Sequence, residues 1–261
     1  MTSQAVTALA SLGAGSCGGF LAGLFGVGGG IVLIPLLGLA LGLNQHQAQG
    51  ATLAAMLLPN GLPAVLHMRS RGIRTSWTLV GLLTAGFIPA VWGGARLANL
   101  IPDGPLRWGF SLFLLAVAAR ALLQGRSSQS GPAREQPAPL GEALAGLAIG
   151  AVGGLASGLL GIGGGIVMIP LMVWLLRLSQ HEAQAASLTL MLAPIGLPGV
   201  IVYARSGGGL PWLIMAGVAI GFMAGAYGGA RLATRILGPR LRKAFAVFMA
   251  IMAVLLVLRD F

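Results

Sequence analysis

Charge is scarce in this chain of 261 residues: 8% of positions are Asp, Glu, Lys or Arg, and five of them are acidic. Soluble domains carry about 25%. With 56% hydrophobic residues and a mean hydropathy of +0.90, a water-soluble fold is excluded. Cysteine is almost missing as well. Cys17 stands alone, so it cannot close an internal disulfide, and it reads as a small packing residue. One histidine per segment gives no ligand cluster, so no metal is expected. No cofactor is expected either: the glycine-rich runs follow apolar helical stretches rather than strands, and no Walker lysine comes after them. Period-2 alternation is absent from stretches such as Leu79 to Val91, which excludes a transmembrane β-barrel. The chain also lacks a buried set of nucleophile, base and orienting residue, so an enzyme is not expected.

What is present is apolar length. Spans of roughly 20 residues allow about eight to ten crossings of a bilayer, and helices are the remaining way to satisfy the backbone in lipid. The net charge of +11 belongs to basic cytoplasmic loops, so no nucleic acid is expected as a partner. Met1 to Ala10 lack the basic n-region of a signal peptide, so the first helix is expected to stay in the mature protein.

The sequence repeats itself at a constant offset of 135. Gly26-Val-Gly-Gly-Gly-Ile-Val-Leu-Ile-Pro35 pairs with Gly161-Ile-Gly-Gly-Gly-Ile-Val-Met-Ile-Pro170, Gln45-His46 with Gln180-His181, and Pro59-x-Gly61-Leu62-Pro63 with Pro194-x-Gly196-Leu197-Pro198. Gly93-Gly-Ala-Arg96 pairs with Gly228-Gly-Ala-Arg231. From Gly19 to Pro63 about 26 of 45 positions are identical, too many for shared hydrophobicity. Residues 1–123 form a first membrane repeat, 124–139 a polar linker rich in Pro, Gly and Ser, and 140–261 a second repeat. Each repeat reads as a glycine-tipped helical hairpin plus three transmembrane helices. Small residues recur every fourth position at Gly15, Gly19 and Gly23, at Gly146 to Gly158, and at Gly217 to Gly229, a pattern that lets helix backbones approach closely.

Charge decides the relative direction of the copies. Were the glycine break a kink in one span, the copies would be parallel and the cations would split about evenly, specifying no orientation. As the tip of a hairpin it inverts the second copy. Twelve cations then fall on one side, and only Arg96, Arg107, Arg205 and Arg259 fall opposite, as the positive-inside rule requires. The fold class is therefore all-α, a polytopic membrane protein of two inverted repeats. The linker is expected in the cytoplasm and both termini outside.

Gly28, Gly29 and Gly30, like Gly163, Gly164 and Gly165, each precede an apolar helix whose first amides lack an intrahelical acceptor. A helix N-terminus carries about half a positive charge, so two such ends facing one another form an anion site. Discontinuous helices in inverted repeats place that site near the midplane. Thr52, Asn60, Ser187 and Thr189 are the polar candidates on the following helices. Arg96 and Arg231 end the third spans as interface anchors or vestibule cations, and His46 and His181 start the post-hairpin helices near the membrane surface. The acidic residues sit in or beside loops, so a carboxylate-lined cation path is not expected.

The doubled G-x-G-G-G-I-V-x-I-P, followed by Q-H-x-A-Q and P-x-G-L-P, resembles the TauE/SafE family of sulfite exporters. The resemblance implies a plasma-membrane permease of the bacterial inner membrane. Its partners would be the lipid bilayer and a small sulfur-containing anion (sulfite, an organosulfonate or thiosulfate), with room for a homodimer. Alternating access, by rocking one repeat against the other, is the mode expected of inverted repeats; an anion channel with the same site, or a non-transporting membrane subunit, is the alternative.

Overall fold

The computed structural model describes residues 2–25, 29–57, 75–123, 139–205, 212–233 and 238–258, together with the single positions 65, 69, 72 and 73. Among the described residues there is no strand. The helices are α1 (Thr2–Phe25), α2 (Gly30–Leu41), α3 (Gln45–Ala55), α4 (Trp77–Leu100), α5 (Asp103–Leu123) and α6 (Pro139–Leu160). They continue with α7 (Gly165–Leu175), α8 (Gln180–Leu190), α9 (Leu197–Arg205), α10 (Trp212–Ala233) and α11 (Gly238–Leu258). This is the all-α class expected.

Six helices have 21 to 24 residues, about 31–36 Å of rise, against a hydrocarbon core of about 30 Å. Val6–Leu24, Trp77–Leu100, Gly141–Leu160 and Trp212–Gly229 are also apolar enough to cross a membrane. The remaining helices have 9 to 12 residues, about 14–18 Å, and reach only part of the way. Among the described residues, long helices and half-length helices therefore stand side by side.

Local chemistry sets those short lengths. Gly42, at φ +69°, ends α2 in the left-handed conformation and lets Leu43 N–H reach back to Leu37 O at 3.4 Å. In the second half the same bend falls on Arg177, at φ 51°, where a Cβ is disfavoured. Capping boxes start the next helices: Asn44 with Gln47 at α3, and Ser179 with Glu182 at α8. A turn containing Pro194 separates α8 from α9, the helix interruption that the proline predicts. Its counterpart around Pro59, Gly61 and Pro63 lies outside the described residues.

Packing joins the halves. α1 lies against α10, α4 against α6, and α5 against α11. A Cβ on Gly15, Gly19 or Gly23 would strike the backbone of Val218, Phe222 or Ala226, and one on Gly150, Gly154 or Gly158 that of Leu83, Phe87 or Val91. Matched numbers rise together in both pairs, so each pair is parallel, with backbones in contact along the small-residue stripes. Asp103, Gly104 and Arg107, at the start of α5, share one cavity of about 370 Å³ with Leu256, near the end of α11. Those two helices therefore run antiparallel. At the centre lies α2, whose Ile31, Val32, Leu33 and Ile34 are wholly buried. Outer faces carry exposed Leu9, Leu112, Ile220 and Val254, as lipid contact requires. Cys17 faces outward on α1 rather than packing inside, because the inward faces of that helix are taken by the glycines.

Candidate functional site: two glycine bends at the centre

The two glycine bends meet. A Cβ on Gly30 would collide with the backbone of Ile162 and lie 2.7 Å from Gly161 O, so the start of α2 touches the bend that precedes α7. Only residues without a side chain allow this approach. Gly161, Gly163 and Gly164 all take positive φ, at +71°, +75° and +70°. Gly29, the counterpart of Gly164, sits at φ −69°, so the two bends are not conformational copies. Gly28 lies outside the described residues, as does Asn60.

Each bend is closed by an aromatic ring from the opposite half. A Cβ on Gly29 would enter the ring of Phe222 on α10, and one on Gly164 would lie 2.6 Å from Phe87 on α4. These phenylalanines are themselves 135 positions apart, each after a glycine of a stripe. The repeat offset applied to Gly86-Phe87 and Gly221-Phe222 would have revealed them.

Beside Gly163 is a small cavity of about 20 Å³, lined by Leu53, Met56, Phe87, Ser157, Gly163, Met191, Ile195 and Gly196. That volume is about the room one water needs. Met56 and Met191 end α3 and α8. A Cβ on Gly163 would stand 2.7 Å from Met56 Sδ and 3.6 Å from Met191 Cε. Methionine is unbranched and repacks readily, so these walls can yield to a larger guest. The Ser157 hydroxyl is buried without a hydrogen-bond partner, and so is that of Thr52. A buried polar group left unpaired is costly, and the Ser157 hydroxyl in the cavity wall marks a place that a polar guest would complete. The amides of Gly163 and Gly164 likewise meet no acceptor among the described residues.

The other predicted residues divide. Ser187 is buried, with its Oγ 3.0 Å from a Cβ placed on Gly165, which brings it to the start of α7. Thr189 Oγ donates to Ala185 O at 2.7 Å, so its proton is held within its own helix. Arg96 is exposed and stacks on Trp92 at 3.7 Å, and Arg231 does the same on Tyr227 at 4.3 Å. Neither is in the lining of the central cavity. His181 is exposed. His46 is half-buried at the rim of the fold, with Nε2 3.2 Å from Ile101 O and 3.6 Å from Asp103 Oδ1. Its backbone N–H donates to the same carboxylate at 3.3 Å.

A buried tether holds the second bend. Gln49 on α3 donates through Nε2 to Leu159 O at 3.1 Å. The Tyr203 hydroxyl on α9 shares its proton between Gln49 Oε1 at 2.8 Å and Gly158 O at 2.7 Å. Both carbonyls belong to the last turn of α6, just before the bend. Tyr203 has no aromatic counterpart in the first half, where the offset falls on Met68. Nothing in the repeat pattern could have singled it out.

A family model described as sulfite exporter TauE/SafE matches residues 11–256. The chain belongs to the TauE/SafE family. Curated relatives carry the corresponding coarse description. A probable membrane transporter protein of Xylella fastidiosa (strain 9a5c) is 29% identical over 270 residues, covering 100% of this chain and 98% of that one. A probable membrane transporter protein of Bacillus subtilis (strain 168) is 28% identical, covering 88% and 91%. One from Methanocaldococcus jannaschii is 26% identical, covering 59% and 57%. No solved structure matches the chain. This TauE/SafE member is therefore a multi-pass transmembrane permease, and the bilayer is its solvent.

Proposed function

We propose that this TauE/SafE protein is a secondary transporter that exports sulfite or a related sulfur oxyanion across the bacterial inner membrane by alternating access. One observation carries the reading: the start of α2 meets the second glycine bend, and beside that bend a small cavity is lined by Gly163 and by the buried, unpaired hydroxyl of Ser157. In this reading Gly28, Gly29, Gly30, Gly163 and Gly164 present backbone N–H groups to the anion, and Gly165, whose own N–H donates to Gly163 O at 2.8 Å, shapes the bend. Thr52, Asn60 and Ser187 support them with side chains and Ser157 joins the set, while Thr189, whose hydroxyl donates to Ala185 O, braces its own helix. Arg96 and Arg231 lie at the membrane surfaces, where the vestibules would open.

The halves 1–123 and 140–261 are read as inverted copies. The antiparallel course of α5 and α11, which occupy equivalent places in the two halves, supports this, since parallel copies would make that pair parallel. Access to the site alternates between the two sides as one half rocks against the other. A membrane potential negative inside drives an anion outward by about 2.3 kcal/mol per charge per 100 mV, so export needs no bound cation. The linker is cytoplasmic and both termini are outside.

The test is counterflow of radiolabelled sulfite in proteoliposomes. Wild type is expected to exchange sulfite, and the double variant Thr52→Ala, Ser157→Ala to fold normally but exchange at least about tenfold more slowly, since each lost hydrogen bond to a charged group is worth about 1.5–3 kcal/mol. Unchanged exchange in the variant would remove these hydroxyls from the mechanism, and absence of sulfite flux in wild type would remove the substrate. A reporter at Phe261 that is active only in the cytoplasm would overturn the orientation.

A further inference from the structure

We infer that the anion reaches the central site along the buried face of α3, from the cavity at the first turn of that helix, and that the Gln49–Tyr203 hydrogen bond is the gate on this route. The inference rests on the transporter reading above and names the path its anion takes. Gln45, Gln49, Thr52 and Met56 are spaced by four, three and four residues, so they share one face of the helix. Gln45 lines the cavity of about 370 Å³ at the start of α5, and Met56 lines the small cavity beside Gly163. One helix face therefore joins the two cavities. The outer cavity lies where α5 begins and α11 ends, both helices of spanning length, so it opens at a membrane face. From Gln45 to Met56 the helix rises about 16 Å, about half of a hydrocarbon core of about 30 Å. A stripe of that length carries a guest from the face to mid-depth.

The stripe is polar as well as buried. Gln45, Gln49 and Thr52 are all shielded from solvent, and Gln45 Nε2 and Thr52 Oγ1 have no hydrogen-bond partner among the described residues. Each unpaired group costs stability, and a passing oxyanion can accept from both. At the mouth Arg107 joins Gln45 in the lining, and a guanidinium matches the geometry of an oxyanion. Asp103 stands one turn before it, with Oδ1 accepting from His46 N–H at 3.3 Å. The mouth thus carries one charge of each sign. The cation draws the anion in and the carboxylate keeps the hold weak, as a passage needs.

Gln49, between the two unpaired groups, is held instead. It donates to Leu159 O at 3.1 Å and accepts from the Tyr203 hydroxyl at 2.8 Å. Both bonds run from the first half of the chain to the second, so rocking one half against the other pulls them apart. The same movement that exposes the central site therefore opens the stripe leading to it.

The experiment uses Cys17→Ser protein, because Cys17 is the one cysteine of the chain, in proteoliposomes freeze–thawed with a sulfonated maleimide so that both faces meet it. Cysteine is placed at two glycines of α5 where a Cβ meets nothing within 4 Å: Gly104, in the lining of the outer cavity, and Gly109, which is not. Once excess reagent is removed, the Gly104→Cys variant is expected to lose most of its sulfite counterflow relative to its own unlabelled sample, and the Gly109→Cys variant to keep it. Gln45→Cys is a second position read in the same way. The gate is read from Thr52→Cys, which is expected to label about tenfold faster when Tyr203→Phe is added. Ala246→Cys, buried on α11, is expected to label no faster, which reports an intact fold. Failure of both cavity positions to label, or full flux once they are labelled, would overturn the route while leaving sulfite transport standing. An unchanged Thr52→Cys rate, or equal acceleration at Ala246→Cys, would overturn the gate. No counterflow in wild type would overturn the transport reading and this inference with it.

Discussion

Substituting alanine at two adjacent glycines of α4 separates helix contact from helix propensity. Gly93 has nothing within 4 Å of a Cβ placed on it. At Gly94 the same atom would collide with Leu155 O and lie 3.0 Å from Leu159 N and 3.1 Å from Leu155 C. Ordinary contact between such atoms is about 3.5–4.0 Å, so α4 and α6 must separate by about 0.5–1 Å or more along the stripe. Overpacking of this kind costs about 1–3 kcal/mol. In water the Gly→Ala change would return about 0.5–1 kcal/mol of helix propensity. In a bilayer the separated helices stay helical, so that return is close to nothing. Gly93→Ala is expected to leave the melting temperature in detergent, followed by tryptophan fluorescence, within about 1 °C. Gly94→Ala is expected to lower it by about 2–12 °C, at about 2–4 °C per kcal/mol for a chain of this size. Equal melting temperatures for the two variants would refute backbone contact along the α4–α6 stripe.

The buried tether gives a second expectation. Tyr203→Phe removes the donor shared by Gln49 Oε1 and Gly158 O and is expected to cost about 1–3 kcal/mol. Its melting temperature should fall while Gln49→Leu, made in the Tyr203→Phe background, adds less than it does alone. At the bend after α7, Arg177→Gly relieves a left-handed residue and is expected to raise stability by about 1 kcal/mol, whereas Gly42→Ala in the equivalent bend should lower it by a similar amount. Phe222→Ala and Phe87→Ala open the rings against Gly29 and Gly164. Each is expected to speed sulfite counterflow or make it leak, and unchanged flux in both would show that the rings only fill space.

Helical class, half-length elements and close helix contacts were legible because each follows from local rules. Apolar runs too long and too uniform for strands give spanning helices, Asn44 and Ser179 begin helices by capping, Pro194 interrupts one, and glycine every fourth residue forms a flat stripe. The second copy of the G-x-G-G-G motif also marked where the chain bends between α6 and α7. Repetition at a fixed offset needs only the sequence, and it identified equivalent residues before any of them had a place.

Tertiary structure decided which stripe meets which, and that depends on the whole set of helices. It set Phe222 against Gly29 and Phe87 against Gly164, each ring supplied by the other half. It turned Cys17 outward and laid Arg96 and Arg231 on surface aromatics, because a guanidinium near a helix end gains more from a ring at the interface than from burial. It also broke the symmetry the repeat implied: Gly29 and Gly164 differ in φ, and Tyr203 ties only one bend to its surroundings. A residue's neighbours in the repeat are fixed by its number, but its neighbours in space are fixed by competition among all the helices for the same small volume.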